Sequence, residues 1–341
     1  MKLNKYLTVI LLFSITLPVF SQDELSKVGT GTAQFLKLGA GAHGTALGDA
    51  YTAMAGDISA MFWNPAGIQK IGRPSVGVSQ TNLFADIRYN YFGVSYPINE
   101  TSTVGLMILY LTSGDIEKTT IESPQGTGEF FSTTSSAIGL TISRRLTTRF
   151  DLGITLKYIY ERLYRESAGT FAFDIGSQFD TGIYGMRIGM ALANFGGKMQ
   201  FDGPDLNIDY ENETTGESYE SGGRLKTEEW PIPLVFRLGI MVDLLGGNNE
   251  IAKDEQNRLT LNLEGNDPVD HLLHYNIGLE YEWNNMIALR GGYKFRYDEA
   301  KSTVGFGINL ETVGIDARLD YSFNDYGLLG YVHNYSLDFS F

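Results

Sequence analysis

The sequence predicts an all-β fold: a transmembrane antiparallel β-barrel of about fourteen strands with a small N-terminal helical hatch in its lumen. Three observations lead there. The 341 residues include 40 Gly, 20 Tyr and 20 Phe and no Cys, a composition of many short aromatic strands. Four segments of the C-terminal third, at 273–283, 287–296, 315–323 and 331–341, alternate polar and apolar residues in phase. Ahead of all the strands lies one Gly- and Ala-rich stretch, residues 35–68, that carries little charge and does not alternate.

At the N-terminus, Lys2 and Lys5 precede an apolar run over 6–20 and the small residues Val19 and Ser21. That is the pattern of a secretory signal peptide over 1–21. The run is too short to span a bilayer as a helix, which takes about 20 residues. Loss of the two lysines makes the formal charge of −14 two units more negative, which argues against nucleic acid as a partner. Without Cys there is neither a disulfide nor a thiolate metal site.

Residues 22–72 form the N-terminal segment and hatch. Ala46, Leu47, Ala50, Ala53 and Met54 recur at helical spacing, which predicts one short helix over 45–55. Gly56 ends it and Asp57 caps a second turn through Phe62. Pro65 disfavours a helical Asn64, so the chain turns at Asn64-Pro65-Ala66-Gly67. Trp63 beside this turn fills either the lumen floor or the periplasmic interface.

Residues 73–341 form the barrel. A secreted chain without apolar helices enters a membrane only as a closed barrel, because every backbone group must be paired. Strands are expected near 74–84, 88–97, 102–117, 128–145, 149–163, 170–180, 186–194, 233–244, 258–265, 272–283, 286–297, 302–312, 314–323 and 331–341. In the final one, Tyr331, Tyr335, Leu337, Phe339 and Phe341 interleave with Asn334, Ser336 and Asp338. With the hatch on the periplasmic side, the strands run outward first and the even-to-odd connections are short turns. Residues 97–101, 146–149 and 284–285 fit, whereas 245–257 is longer. The longest connection, 195–231, then lies outside, and its stretch 201–230 holds nine acidic and two basic residues. A soluble sandwich or propeller also alternates. The signal peptide, the aromatic face and a final Phe341, the kind of terminal residue that outer-membrane assembly machinery recognises, favour the membrane barrel.

The stretch AQFLKLGAGAHGTALGDAYTAMAGDISAMFWNPAGI at 33–68 resembles the N-terminal signature of the PorV/PorQ family of outer-membrane proteins, which are FadL-like barrels. The likeness extends to NFGGKM at 194–199, PIPL at 231–234, LRGGYK at 289–294 and the closing strands. It implies a fourteen-stranded barrel with a lumenal hatch, placed in a bacterial outer membrane and its lipid. It also implies a type IX secretion context, with exported proteins and other secretion-system subunits as partners.

Gly39, Gly41 and Gly44 spell GxGxxG, but no βαβ unit surrounds them, so close packing of the hatch against the barrel wall explains them better than a dinucleotide does. Glu264, Glu280, Glu282, Arg290, Lys294, Arg296, Asp316, Arg318, Asp320 and Asp338 fall on the expected lumen face, where they pair with one another or line a solute path. Phe35, Leu36, Leu47, Met54, Met61 and Phe62 either pack the hatch or line an apolar pocket for a hydrophobic small molecule. The four His lack HExxH spacing, and no GxSxG elbow or EF-hand pattern occurs. No enzyme activity and no cofactor is expected. Two functions follow: a surface-facing barrel that engages exported proteins through its loops, and a FadL-like channel for passive uptake.

Overall fold

Fourteen strands close into one antiparallel barrel in chain order, the last paired with the first. Described in this computed structural model are residues 27–211, 218–247, 252–311 and 314–341; the expected signal peptide lies outside them. The strands are β1 (Ser75–Asn82), β2 (Arg88–Asn99), β3 (Ser102–Thr112), β4 (Thr133–Thr147) and β5 (Phe150–Leu163). Next come β6 (Glu166–Asp180), β7 (Arg187–Gly196), β8 (Val235–Leu245), β9 (Asn257–Pro268) and β10 (His274–Trp283). The barrel ends with β11 (Ile287–Phe295), β12 (Ser302–Asn309), β13 (Ala317–Asp325) and β14 (Tyr331–Ser340). Closure runs from Ser75 opposite Ser340 to Asn82 opposite His333, so neither edge is left open.

Each expected strand has its counterpart, with the largest boundary differences at the outer ends. The segments expected over 102–117 and 128–145 divide differently, because Ile116–Glu117 and Phe130–Phe131 form a hairpin of their own beyond β3 and β4. β6 begins earlier than expected, at Glu166 rather than 170. Two further small sheets cover the 197–234 connection, Lys198–Met199 with Trp230–Pro231 and Asn207–Glu211 with Ser218–Arg224.

Period-two alternation fixes which side chains meet lipid. Along β4, Ile138, Leu140 and Ile142 are exposed, while Ala137, Thr141 and Ser143 are buried. Along β10 the outward residues are Tyr275, Leu279, Tyr281 and Trp283, and the inward ones include Asn276 and Glu280. An outward Arg or Lys at the bilayer midplane costs about 2–4 kcal/mol, so the same alternation that greases the outside sends charge to the inside.

The hatch occupies the lumen along its length rather than sitting at the periplasmic end alone. Thr32 donates to Glu161 Oε2 at 2.6 Å and to the Pro231 carbonyl at 3.0 Å, both at the end carrying the long connection. Lys70 reaches Asp180 at 2.6 Å and Asp151 at 3.2 Å at the opposite end, just before β1 begins. The helix expected over 45–55 does not form as one piece. Ala42–Ala46 is helical, the chain then turns through left-handed Gly48 and Asp49, and a second helical turn spans Ala60–Trp63. The wall explains the break: Leu47, Gly48 and Thr52 each bring backbone against β7, β10 or β11, which a continuous helix would hold away. Asp57 stabilises the second turn as expected in kind, accepting from the Ser59 N–H at 2.9 Å, although Ser59 is the N-cap.

Candidate functional site

The lumen is where hatch and wall meet, and its floor is glycine. Gly153 faces the Pro65–Ala66 backbone, Gly189 faces Thr52 and Ala53, and Gly278 and Gly292 face Leu47 and Gly48; a Cβ on any of them would strike hatch backbone. The absent side chains let two main chains approach and exchange hydrogen bonds with wall side chains. Thr52 N–H donates to Glu264 Oε2 at 2.8 Å, Thr303 Oγ1 donates to the Ala46 carbonyl at 2.9 Å, and Ala42 N–H donates to Ser336 Oγ at 2.7 Å.

Asn64 locks the exit of the hatch. Its amide donates to the Thr52 carbonyl at 2.8 Å and to the Ser177 carbonyl on β6 at 3.0 Å, while its oxygen accepts from the Ala66 N–H at 3.1 Å. It is thus both the cap of the 3-10 turn Pro65–Lys70 and a tie to the wall. Trp63 lies inside the hatch, donating to the Ala40 carbonyl at 2.9 Å and packing edge-on to Phe62 with centroids 5.1 Å apart. The glycines of the GxGxxG stretch serve close packing within the hatch and not against the wall. Gly39 and Gly44 lie against Trp63, and Gly41, at φ 83°, lies against Ser59.

A buried charge cluster joins the hatch to four strands. His43 Nδ1 is 2.8 Å from Asp57 Oδ2, to which Tyr51 donates at 2.6 Å, and Ser59 Oγ donates to Asp57 Oδ1 at 2.5 Å. The other His43 nitrogen lies 2.7 Å from Glu280 on β10, close enough for strong charge attraction although not aligned as a hydrogen bond. Arg290 on β11 donates to Glu280 at 2.5 Å and to Asp320 on β13 at 2.7 Å, and Arg318 donates to Asp320 at 2.9 Å. Asp338 on β14 accepts the Ile58 N–H at 3.4 Å. Elsewhere Lys294 is bound to Asp49, and Lys157 sits 2.7 Å from Asp174.

Burial pushes the His43 imidazole down and the Arg290 charge does the same, but Glu280 and Asp57 outweigh both and hold it above its ordinary value. Burial alone would raise Asp57; its hydrogen bond to His43 and the charges around it hold it below the usual carboxylate range instead. His43 therefore adds stability that is complete below its unfolded value of 6.5 and fades as pH rises through the raised folded value. Asp57 acts oppositely, its share being present above its unfolded value of 3.8 and lost only in stronger acid. Hydrogen exchange of the 42–63 amides, corrected for intrinsic rate, is expected to show more protection at pH 6 than at pH 8. His43→Gln abolishes that difference; equal corrected protection in the native chain would contradict the assignment.

Not every residue read as lumenal reaches the lumen. Arg296 is exposed just past β11, in a left-handed turn at φ 67° that breaks the alternation. Asp316 sits before β13 begins, more than half exposed at the rim, and pairs with Arg73 at 3.0 Å. Glu282, near the end of β10, does face inward: it borders the same lumenal space as Glu280 and lies 3.2 Å from Arg258. Phe35, Leu36, Leu47, Met54, Met61 and Phe62 belong to one buried apolar cluster, and of these Met54 also borders a cavity. Phe341 follows the last strand, exposed, its N–H donating to the Pro74 carbonyl at 2.9 Å.

Two cavities bordered by charged side chains flank the hatch. One, of about 240 Å³, lies at the end where β1 begins and is lined by Asp57, Glu280, Arg318 and Asp338 among others. The other, of about 230 Å³, lies under the long connection and is lined by Lys37, Arg237, His271, His274 and Tyr297 among others. Sequence reading missed Arg237 and the wall glycines. Both were marked by parity: Gly153, Gly176, Gly189, Gly239, Gly278 and Arg237 all fall on the inward phase of their strands. Among the described residues no helix is long and apolar enough to cross a membrane, and no three or more His, Asp or Glu gather as a metal site.

Solved structures that share this architecture are FadL-like barrels. The monoaromatic hydrocarbon channel CymD superposes with a TM-score of 0.61 at 11% identity, covering 89% of this chain and 98% of its own. A FadL homologue of Pseudomonas aeruginosa gives 0.52 at 12%, covering 89% and 98%. The Pseudomonas putida toluene transporter TodX gives 0.51 at 12%, covering 85% and 96%. Identities this low establish the fold alone. No curated protein sequence matches the chain. The sequence profile of the type IX secretion system protein PorV, however, matches residues 20–267, most of the chain, including the hatch and β1 to β8. The barrel is accordingly a bacterial outer-membrane protein, and the chain belongs to the PorV family of the type IX secretion system.

Proposed function

We propose that this barrel engages exported proteins at the cell surface, through its outward connections, as a component of type IX secretion. The observation that carries the reading is the division of labour between lumen and loops. The hatch fills the lumen with close-packed apolar residues and paired charges. The elaborated surface is at the opposite extreme, where the 113–132 and 197–234 connections build three small sheets of their own. A closed barrel offers no free strand edge, so a polypeptide partner docks on such loops. Partner subunits of the secretion machinery belong to the same reading. The experiment is deletion of the gene in a strain without a substitute paralogue, followed by profiling of surface-attached proteins. Loss of exported proteins from the surface is expected; an unchanged surface profile refutes the role.

One observation favours a second reading, passive uptake of a hydrophobic small molecule. An apolar groove of about 440 Å³ lies on the lipid side of β1, β2, β3, β13 and β14, lined by Val78, Phe92, Tyr110, Leu319 and Leu337. Labelled fatty-acid uptake into liposomes holding the barrel decides it: uptake above empty liposomes supports the channel, and equal uptake removes it.

A further inference from the structure

We infer that the cavity under the long connection receives a single carboxylate carried by a client polypeptide, with Arg237 as its anchor. This deepens the docking role just proposed and rests on it. Arg237 projects inward from β8 and is 2% exposed. Neither Nε nor Nη1 has a hydrogen-bond partner, and among the described residues the guanidinium makes no ion pair. Other buried cations of the lumen are matched: Lys157 by Asp174, Lys294 by Asp49, Arg290 by Glu280 and Asp320.

The rings of Phe62 and Trp63 each lie 5.4 Å from the Arg237 guanidinium carbon. Cation–π attraction on this scale does not offset the desolvation of a buried ion, which is several times larger. The rings do fix the orientation of the planar group, whose nitrogens then serve an anion in the cavity it borders. Lys37, His271 and His274 line the same cavity, and His271 Nδ1 and both His274 ring nitrogens also lack partners.

Charge balance selects the ligand. Lys37 is already neutralised by Asp270 at 2.9 Å, and Asp49 and Asp298 also border the space. Asp49 is bound to Lys294, while Asp298 and the nearby Glu264 carboxylate offset the Arg237 charge, so the surroundings hold no excess of positive charge. They admit a monoanion rather than a phosphate dianion, and the guanidinium fork suits a carboxylate. Size selects how the carboxylate arrives. At about 230 Å³ the cavity is smaller than the roughly 300–1,000 Å³ that encloses a whole drug-sized ligand, so it accepts one group of something larger. Its walls include Pro268 and Asp298 at the outward turns, the side from which an exported chain approaches.

The test uses the purified full-length barrel in detergent and calorimetric titration with three probes: N-acetyl-alanyl-alanine, the same peptide amidated at its C-terminus, and inorganic phosphate. The free acid is expected to bind at least about tenfold more tightly than the amide or phosphate, and Arg237→Gln to erase that preference. Arg237→Lys keeps part of it. Because Arg237→Gln removes an unpaired buried charge, its barrel should resist heat at least as well as the parent, which a purely structural arginine would not allow. Equal binding of acid and amide, preference for phosphate, no binding at millimolar acid, or an unaffected Arg237→Gln would each overturn the subsite. In cells, normal surface attachment with Arg237→Gln overturns the subsite and leaves the docking role standing, whereas normal attachment in the deletion strain removes both.

Discussion

Gly189→Leu is expected to dislodge the hatch while leaving the strands in place. Gly189 on β7 is paired in register with Gly239 on β8, and together they form the seat for Thr52 and Ala53. A side chain at Gly189 meets the Thr52 carbonyl and the Ala53 Cα, which are backbone and have no rotamer to swing aside. Overpacking a tight core costs typically about 1–3 kcal/mol, and a collision with main chain belongs at the upper end or beyond. The same displacement breaks the Thr52 bonds to Glu264 and Asn64 and the Gln178 bond to the Met54 carbonyl, at 2.8, 2.8 and 2.7 Å. Limited proteolysis within 42–63, slow in the parent, becomes fast in Gly189→Leu, and the heat-modifiable shift of the folded barrel persists. Gly265→Leu supplies the control, since a Cβ there meets nothing within 4 Å. A Gly189→Leu hatch as resistant as that of Gly265→Leu would refute the close approach.

Arg290→Leu is the second large effect, acting through charge rather than shape. Its side chain is fully buried between Glu280 and Asp320, which are themselves almost completely enclosed. Removing it leaves these carboxylates with Arg318, whose nearest approach to Glu280 is 4.0 Å, and with His43. Breaking a buried pair from one side costs about 3–5 kcal/mol, chiefly the desolvation of the charge left behind. The urea midpoint of the barrel in liposomes should fall accordingly. Replacing Glu280 and Arg290 together by Leu and Met should recover part of the loss, because the pair as a whole is worth less than either half is costly to orphan. An Arg290→Leu midpoint equal to the parent's would show that the lumen at this depth is wet enough to screen these charges.

What the chain reveals unaided depends on whether the information is local. Strand existence and phase are local, so Tyr331 to Phe339 and Leu279 to Trp283 announce their outward face without help from any other segment. The loop sheets at 116–117 and 130–131 fail that test because two residues have no periodicity to read. The hatch fails in a different way. Ala46, Leu47, Ala50, Ala53 and Met54 do have helical spacing, but wall glycines up to 245 residues away bring other backbone conformations into contact, and those contacts win over local propensity. The partners of His43 are equally remote, Glu280 being on β10, so sequence places the charges on one face without saying who meets whom. Arg237 was legible as inward-facing by parity, yet its lack of an ion pair among the described residues is a property of the assembled lumen alone.

A nitroxide scan of β4 in a chain that contains no Cys of its own measures the underlying claim most directly. Labels placed singly from Ala137 to Ser143 would be read, in bilayers, for collision with oxygen dissolved in lipid and with a water-soluble nickel complex. Oxygen access should peak at Ile138, Leu140 and Ile142 and fall at Ala137, Thr141 and Ser143, with the nickel complex reaching neither set. Nickel access at Ile138, Leu140 and Ile142 equal to that of an exposed loop position would contradict it, since those side chains would then face water and not lipid.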